Sequence, residues 1–378
     1  MTGSTAIPAA AKRVFQIAWP AIGDAYLQNL LGVVDAVFIA RIGLVAIDAV
    51  GVTNVYSMTY TGVFIAVSAA LSVFLSRAVG AKDYARGRAA ITHGLLIAFI
   101  LGLILSVLSV FLSVPLLHIM GARGALRREA FPYFVVVLDI SPIIALFTAQ
   151  SAAFRAIGGT RTPLRLTWSM TKFAVPAAVE RLSMRLGQVI YFGLIVRMGV
   201  DVYATHNIAG TLTAFASTIG GGFATAATAT IGQSIGSGNE DDVRVYRRWC
   251  YIEGAVAMTG VTILLCLFSP WLGLLFTHNP HVVHLLFIIL AIDVFSQPFL
   301  AAVLVDTSAI QAGGNSRFPM ITTMIGIWCI RTLGVYVFAW RLGFGLPAVW
   351  VSIAADNALR AGLFLWYRRT RNWVQKLA

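Results

Sequence analysis

The chain repeats itself at a fixed spacing. Residues 20–80 align with residues 176–236 at a constant offset of 156. A second match follows at nearly the same offset, because the Gly-Gly turn within 156–163 corresponds to the one within 311–319. The fold must therefore contain two related halves that follow one another along the chain.

Hydrophobic residues make up 58% of the 378 residues and charged residues only 11%, with a mean hydropathy of +0.82. A soluble domain of this length could not bury so much apolar side chain. Two parallel copies in such a chain are typical of secondary transporters, whose halves are related by an axis along the membrane normal. We predict an all-α polytopic membrane protein with about ten transmembrane helices, at 14–39, 47–76, 89–114, 131–154, 172–197, 203–234, 249–270, 283–311, 319–340 and 346–367.

The basic residues are distributed asymmetrically between the predicted loops. Of the 28 Lys and Arg residues, eighteen lie in one set of loops and tails and six in the opposite loops. Because loops rich in Lys and Arg stay on the cytoplasmic side, both termini are predicted to be cytoplasmic, in the inner (cytoplasmic) membrane of a cell. The net charge of +13 then reflects contact with anionic lipid, and no nucleic-acid partner is expected.

Motifs for nucleotide or zinc binding do not occur in the sequence. The three cysteines lie in apolar segments without a CxxC spacing, and there is no P-loop or HExxH motif. We therefore expect the chain not to be an enzyme and to hold no cofactor. Without a nucleotide site, uphill transport has to be driven by a gradient of H⁺ or Na⁺.

The two copies differ in length. The sequence predicts an N-terminal lobe of four helices over 14–163, a cytoplasmic linker over 164–171, a C-terminal lobe of six helices over 172–367 and a cytoplasmic tail over 368–378. If both lobes once had six helices, the first has lost its fifth and sixth. Loss of an even number of helices leaves every later helix in its original orientation.

The cytoplasmic loops of the two copies also correspond. Residues 76–88 align with 232–244, and each segment contains a glycine at the same place, Gly80 or Gly236. Because helices often end with a glycine in the left-handed conformation, each of these glycines is predicted to end its helix in that way.

Carboxylates inside the spans are the strongest candidates for function, because a charge near the bilayer centre costs roughly 2.5–3.5 kcal/mol and needs a partner or a task. On the first predicted helix, Asp24, Gln28 and Asp35 lie at i, i+4 and i+11. That spacing places them on one face, with the two aspartates about 16 Å apart. Burial favours the neutral form of a carboxylate, which suits reversible proton uptake. We interpret Asp35, with Asp24 and Gln28, as a cation or proton coupling site; the alternative is a hydrogen bond to a neighbouring helix for packing.

The corresponding face of the second copy carries Glu180, Gln188 and Tyr191. Tyr191 occupies the outer carboxylate position, so the two lobes are chemically unequal and the first is expected to house the coupling ion. Arg181 and Arg185 follow Glu180 on the same helix. We predict that this cluster forms a structural ion pair that closes the cytoplasmic side; the alternative is a direct role in the substrate cavity.

Two further aspartates precede prolines in paired helices. Asp139 precedes Pro142, and Asp293 precedes Pro298. A proline inside a span leaves a backbone carbonyl without its helical partner, which allows bending or the binding of water or an ion. We assign Asp139 to the coupling route and Asp293 to the substrate cavity or gate; hydration from a central cavity is the alternative for both.

Other charged residues in the spans are expected to be structural. Asp306, closer to a cytoplasmic end, is expected to be solvated. Asp356 and Arg360 lie one helical turn apart and are expected to satisfy each other. The sequence offers no explanation for Arg331, which is alone in its span.

The sequence resembles the multidrug and toxic compound extrusion (MATE) family over nearly its whole length. The resemblance rests on the first-helix segment 20–43 with Asp35, on the Gly-Gly-Thr-Arg-Thr-Pro turn that ends at Pro163, on the repeated glycine loops and on residues 176–185. It implies two lobes around a central cavity, reduced here from twelve helices to ten, and export of cationic amphipathic compounds in exchange for H⁺ or Na⁺. It also implies that Asp35 is the ion-linked residue of a DinF-like member. We expect a monomer in the lipid bilayer.

Two departures from the family bear on function. The fifth helix, which supplies partners to the first-helix aspartate in DinF-like members, is missing here. An acidic residue that NorM-like members carry deeper than Glu180 has no match, which favours a proton over sodium. A lipid-linked glycan flippase of the same superfamily and a non-transporting remnant are the alternatives to an exporter.

Overall fold

The computed structural model describes residues 7–42, 44–119, 124–154, 165–276 and 279–370. Within these ranges all the regular elements are helices, which confirms the predicted all-α class. They are α1 (Ile7–Ile42), α2 (Leu44–Gly80), α3 (Tyr84–Phe111), α4 (Ser113–Ile119), α5 (Gly124–Asp139), α6 (Ser141–Phe154), α7 (Arg165–Val196), α8 (Val200–Gly236), α9 (Glu240–Leu267), α10 (Ser269–Phe276), α11 (Pro280–Ala312), α12 (Arg317–Arg341) and α13 (Gly345–Thr370).

The helices account for the predicted membrane spans. Most predicted spans fall on one long helix, 131–154 falls on the pair α5 and α6, and the ends of 89–114 and 249–270 reach into α4 and α10. By length and hydropathy, six of the described helices can each cross a bilayer, and α5 with α6 adds a seventh if the pair forms one bent span. The chain is thus a polytopic helical membrane protein. Its α12 departs from α-helical geometry, with wide π-helical turns over Gly326–Thr332 and Val335–Arg341.

Backbone contacts divide the chain into two compact units. One consists of Met1–Asp24 with Ser183–Ala378, and the other of Ala25–Leu182. Both boundaries fall inside the first helix of a copy, within α1 and within α7. They lie close to Asp24 and Glu180, which the repeat aligns. The first half of each of these helices therefore groups with the helices of the other copy.

The turns after α2 and α8 correct one expectation. The sequence favours Gly80 and Gly236 as left-handed residues, but positive φ occurs two positions later, at Lys82 (55°) and Gly238 (74°). The reason is that α2 and α8 continue through Gly80 and Gly236 with ordinary helical geometry before the chain reverses. The two copies share this turn, but the first places a lysine where the second has glycine.

Matching hydrogen bonds confirm that the two turns are the same. The N–H of Asp83 donates to the carbonyl of Ala78 at 2.9 Å, and the N–H of Asn239 donates to that of Ser234 at 3.0 Å. The side-chain oxygens of Asp83 and Asn239 then accept from backbone N–H groups three residues on, at 3.0 and 3.3 Å. Each residue thereby caps the next helix, α3 or α9.

The span formed by α5 and α6 is bent by 41° at Ile140. Pro142 has no N–H, so it cannot donate to the carbonyl of Leu138 one turn earlier. The hydroxyl of Ser141 donates to that carbonyl instead. Here α6 packs closely against α3, since a Cβ added at Gly102 would lie 2.5 Å from the Cα of Pro142. Glycine is required at that position because the opposing atoms belong to the backbone and cannot rotate away.

The Gly-Gly turn of the second copy, between α11 and α12, is closed by Asn315. Its side-chain oxygen accepts from the N–H groups of Arg317 and Phe318 at 3.0 and 3.1 Å. Its amide donates to the hydroxyl of Tyr367 at 2.7 Å, and the rings of Phe318 and Tyr367 stack with centroids 3.9 Å apart. The turn therefore fixes the end of α13. The corresponding turn of the first copy, 156–163, lies outside the described residues.

Candidate functional site

The predicted coupling residues of the first copy lie on α1, which is helical at Asp24, Gln28 and Asp35. Their side chains lie outside the described part of the structure, as does that of Arg185 on α7. The helix is continuous from Asp24 to Asp35. Their role in ion coupling stays a prediction.

The other predicted residues of α7 have different surroundings. Glu180 and Tyr191 are buried, Gln188 is half-buried and Arg181 is exposed. The guanidinium carbon of Arg331, on α12, lies 5.9 Å from the ring centroid of Tyr191, within the range of a cation–π contact. The structure thus brings Tyr191 of α7 to the arginine that the sequence does not explain.

Arg331 forms a buried ion pair with Asp356 of α13. The Nη2–Oδ2 distance is 2.7 Å, and the two side chains are 11% and 0% exposed. The sequence suggests Arg360 as the partner of Asp356, but the structure assigns the ion pair to Arg331, and Arg360 donates to the hydroxyl of Thr323 at 3.0 Å. A side chain at Gly326 would collide with Asp356, so glycine there lets α13 come close enough to α12 for the pair to form.

A group of aromatic rings around His206 of α8 lies beside this ion pair. The ring centroids of Phe192, Trp350 and Tyr191 lie 5.1, 5.8 and 6.3 Å from that of His206, in edge-on geometries. His206 and Trp350 are buried, and their Nδ1 and Nε1 atoms have no hydrogen-bond partner among the described residues. Sequence reasoning missed His206, because a single histidine in an apolar span has no diagnostic spacing.

Asp293 is buried in the same unit, on α11. Its carboxylate accepts from Nε2 of Gln297 at 2.6 Å, and nearby Nδ2 of Asn357 donates to the hydroxyl of Ser296 at 3.0 Å. The remaining side-chain oxygens of Gln297 and Asn357 are buried without a partner within the described ranges. Buried polar atoms are normally paired, often by water, so these oxygens can accept hydrogen bonds from water.

Asp139 is the last residue of α5 and belongs to the other unit. It is exposed, and its carboxylate accepts from the hydroxyl of Ser106 on α3. Asp139 and Asp293 therefore differ in burial, although both precede a repeat-related proline. In both cases the donor that the structure shows is a neutral group.

Asp306 of α11 does not behave as a solvated end residue. Its side chain is only 1% exposed and contacts Nε of Arg247 at 2.7 Å and Nε of Arg368 at 3.3 Å. The expectation of solvation was wrong because arginines from two other helices, α9 and α13, enclose the carboxylate.

The first half of α1 is anchored to the second copy. The guanidinium of Arg13 donates to Oε1 of Gln233 at 2.7 Å and to the hydroxyl of Tyr246 at 3.1 Å. Further along α1, Ile22 packs against Gly222 of α8, where any side chain would collide with it. Sequence reasoning counted Arg13 only as a cytoplasmic charge, since nothing in its spacing indicates these partners.

Comparison with known proteins gives one family match that covers most of the chain. The MatE family model matches it twice, over residues 20–174 and 176–337. Among curated relatives, the uncharacterized transporter YisQ of Bacillus subtilis is 24% identical, with 96% of this chain and 95% of the relative covered. The probable multidrug resistance protein NorM of Thermotoga maritima is 23% identical, with coverage of 98% and 94%.

Solved transporter structures have the same fold. A MOP superfamily transporter from Pyrococcus furiosus, described as having a binding pocket of reverse polarity, superposes with a TM-score of 0.89 at 18% identity over 97% of each chain. A MATE protein in complex with MaD5 gives a TM-score of 0.87 at 18% identity over 98% of each chain. At these identities the likeness concerns the fold.

The alignment with YisQ also bears on the length of this chain. It spans 434 positions against 378 residues here, so at least 56 positions have no counterpart in this chain. Two transmembrane helices of about 20 residues each, with their connections, have a similar length. That the first lobe lacks its fifth and sixth helices stays a prediction.

Proposed function

This chain belongs to the MatE family of membrane transporters, and on that basis we propose that it exports organic cations or drugs from the cytoplasm in exchange for H⁺ or Na⁺. The observation that carries the proposal is the double family match, because both copies keep the family pattern although the chain is short. NorM of Thermotoga maritima, which aligns with 98% of this chain, is named as a probable multidrug resistance protein, and this supports drugs as the transported compounds.

Ion coupling is supported by the neutral surroundings of two intramembrane carboxylates. Asp356 and Asp306 are held by arginines, so protonating either would break an ion pair. The hydrogen bonds that the structure shows to Asp293 and Asp139 come from an amide and a hydroxyl. These two carboxylates can gain and lose a proton without leaving a described cation unpaired. Asp35 is the third candidate, by its resemblance to the ion-linked residue of the family.

We favour a proton as the coupling ion. A sodium ion needs several oxygen ligands around it, whereas the partner that the structure gives the Asp293 carboxylate is an N–H donor. We also propose that both termini are cytoplasmic. Glu180, Arg181 and Arg185 then close the cytoplasmic side of the transport route. The flippase alternative loses support, since Arg331 is neutralised by Asp356.

Dye transport in liposomes tests the proposal. Purified protein is reconstituted into liposomes loaded with a fluorescent organic cation, and a pH or Na⁺ gradient is imposed in turn. We expect the dye to cross the membrane in the direction opposite to proton flow. Asp35→Asn should stop this movement while the protein is expressed at the normal level. Asp241→Asn, which changes an exposed carboxylate at the start of α9, is the matched control. Absence of gradient-driven movement in the wild-type protein would favour the non-transporting remnant.

A further inference from the structure

Three helices of one unit meet at the carboxylate of Asp306. Arg247 of α9 donates to both oxygens, from Nε at 2.7 Å and from Nη2 at 3.3 Å. Nε of Arg368, near the end of α13, lies 3.3 Å from Oδ2. One carboxylate is shared by two guanidiniums, so the cluster keeps one excess positive charge at a site that is largely shielded from water.

The two arginines keep donors that Asp306 does not use. Within the described residues, Nη1 of Arg247 and both Nη atoms of Arg368 make no hydrogen bond. The two side chains are 18% and 14% exposed, so part of each guanidinium reaches the surface. The cluster thus presents a set of N–H donors with a net positive charge to whatever covers this surface.

The surroundings place this cluster at the boundary between lipid and water. Trp366 is 55% exposed two residues before Arg368, and Leu365 is also exposed. Tryptophan is enriched at the level of lipid headgroups, with apolar side chains further into the bilayer. Around the cluster, Arg244, Arg248 and Arg369 are exposed, while the first turn of α9 carries three acidic residues: Glu240, Asp241 and Asp242.

We propose that Arg247 and Arg368 bind the phosphate of an anionic phospholipid in the leaflet at this end of the protein. Guanidinium groups offer paired N–H donors that match phosphate oxygens. Because two arginines share one carboxylate, one positive charge remains to neutralise the single negative charge of a phosphodiester. A lipid is the expected source because exposed Leu365, three residues before Arg368 on the same side of α13, provides a surface for its acyl chains. The proposal does not depend on which compound the protein transports.

Lipid selectivity of the purified protein tests this site. The protein is placed in nanodiscs of phosphatidylcholine with or without phosphatidylglycerol, and bound lipid is counted by native mass spectrometry together with the midpoint of thermal unfolding. We expect wild type to retain phosphatidylglycerol and to unfold at a higher temperature with it. Arg368→Gln, which leaves the Arg247–Asp306 contacts in place, should weaken retention about fivefold, in line with the attraction of one basic residue to an anionic surface.

Two controls separate this site from general charge effects. Arg128→Gln removes an exposed charge on α5, in the other unit, and should keep the wild-type lipid preference. Arg368→Lys keeps the charge and should restore part of the preference. An unchanged preference in Arg368→Gln would overturn the proposal. So would displacement of phosphatidylglycerol from wild type by millimolar inorganic phosphate, since the site would then serve soluble phosphate.

Discussion

Arg331 and Asp356 lie 25 positions apart on two helices, yet their charged groups meet at 2.7 Å in the interior of one unit. Each charge makes the other tolerable, because an isolated charge inside a protein within a membrane costs several kcal/mol. The contact also depends on Gly326, whose lack of a side chain leaves room for Asp356. The pair is therefore a product of close packing between α12 and α13.

Removing one partner of this pair should destabilise the protein strongly. We expect Asp356→Asn to lower the free energy of unfolding by about 3–5 kcal/mol, because Arg331 then keeps a buried charge without its counter-ion. Thermal unfolding in detergent measures the effect. The double variant Arg331→Met with Asp356→Leu should recover most of the loss. A loss in the double variant equal to the sum of the losses in Arg331→Met alone and Asp356→Leu alone would contradict the assignment of the pair.

Gly102→Ala should disturb the packing of α3 on α6. The new methyl group would lie 2.5 Å from the Cα of Pro142, and relieving that overlap requires a backbone shift that costs about 1–3 kcal/mol. The matched control is Gly62→Ala on α2, where no atom of another described element lies within 4 Å of the added carbon. That change should be neutral or slightly stabilising, since alanine favours helices. Equal losses in both variants would show that the contact at Pro142 is not the cause.

Lys82→Gly should stabilise the turn between α2 and α3. Lys82 has a φ of 55°, a conformation that costs a residue with a side chain about 1–2 kcal/mol. Glycine loses more chain entropy on folding, so we expect a net gain of about 1 kcal/mol in the free energy of unfolding. The reciprocal change, Gly238→Lys in the second copy, should lower it. A stabilising Gly238→Lys would refute the equivalence of the two turns.

Asp293→Asn should separate ion coupling from stability. Asparagine keeps the shape of the side chain and an oxygen that can accept from Gln297, so the melting temperature should change little. If Asp293 carries the coupling proton, dye movement driven by a pH gradient should fall at least tenfold, while dye binding to the protein persists. Unchanged coupling in this variant, with coupling lost in Asp35→Asn, would assign the proton to the first copy alone.

Sequence reasoning succeeded where periodicity and local chemistry suffice. The predicted apolar segments coincide with helices of the structure. The prolines inside the spans predicted bending, and one span is bent at Ile140. It failed where an outcome depends on helices distant in the sequence. The sequence predicted a solvated Asp306, but Arg247 and Arg368 enclose its carboxylate in the structure. The spacing on α13 predicted Arg360 as the partner of Asp356, whereas the ion pair is formed by Arg331.

The sequence alone determined the class of the protein: a helical membrane chain of two parallel copies. Hydropathy, repeat spacing and charge asymmetry are properties of the linear chain and need no coordinates. Only the tertiary structure decided which buried charge pairs with which, where the left-handed turn residue lies and that the first half of α1 packs with the second copy. These outcomes depend on interhelical distances of a few ångströms, which are set by small residues such as Gly326 and Gly222 and leave no periodic trace in the sequence.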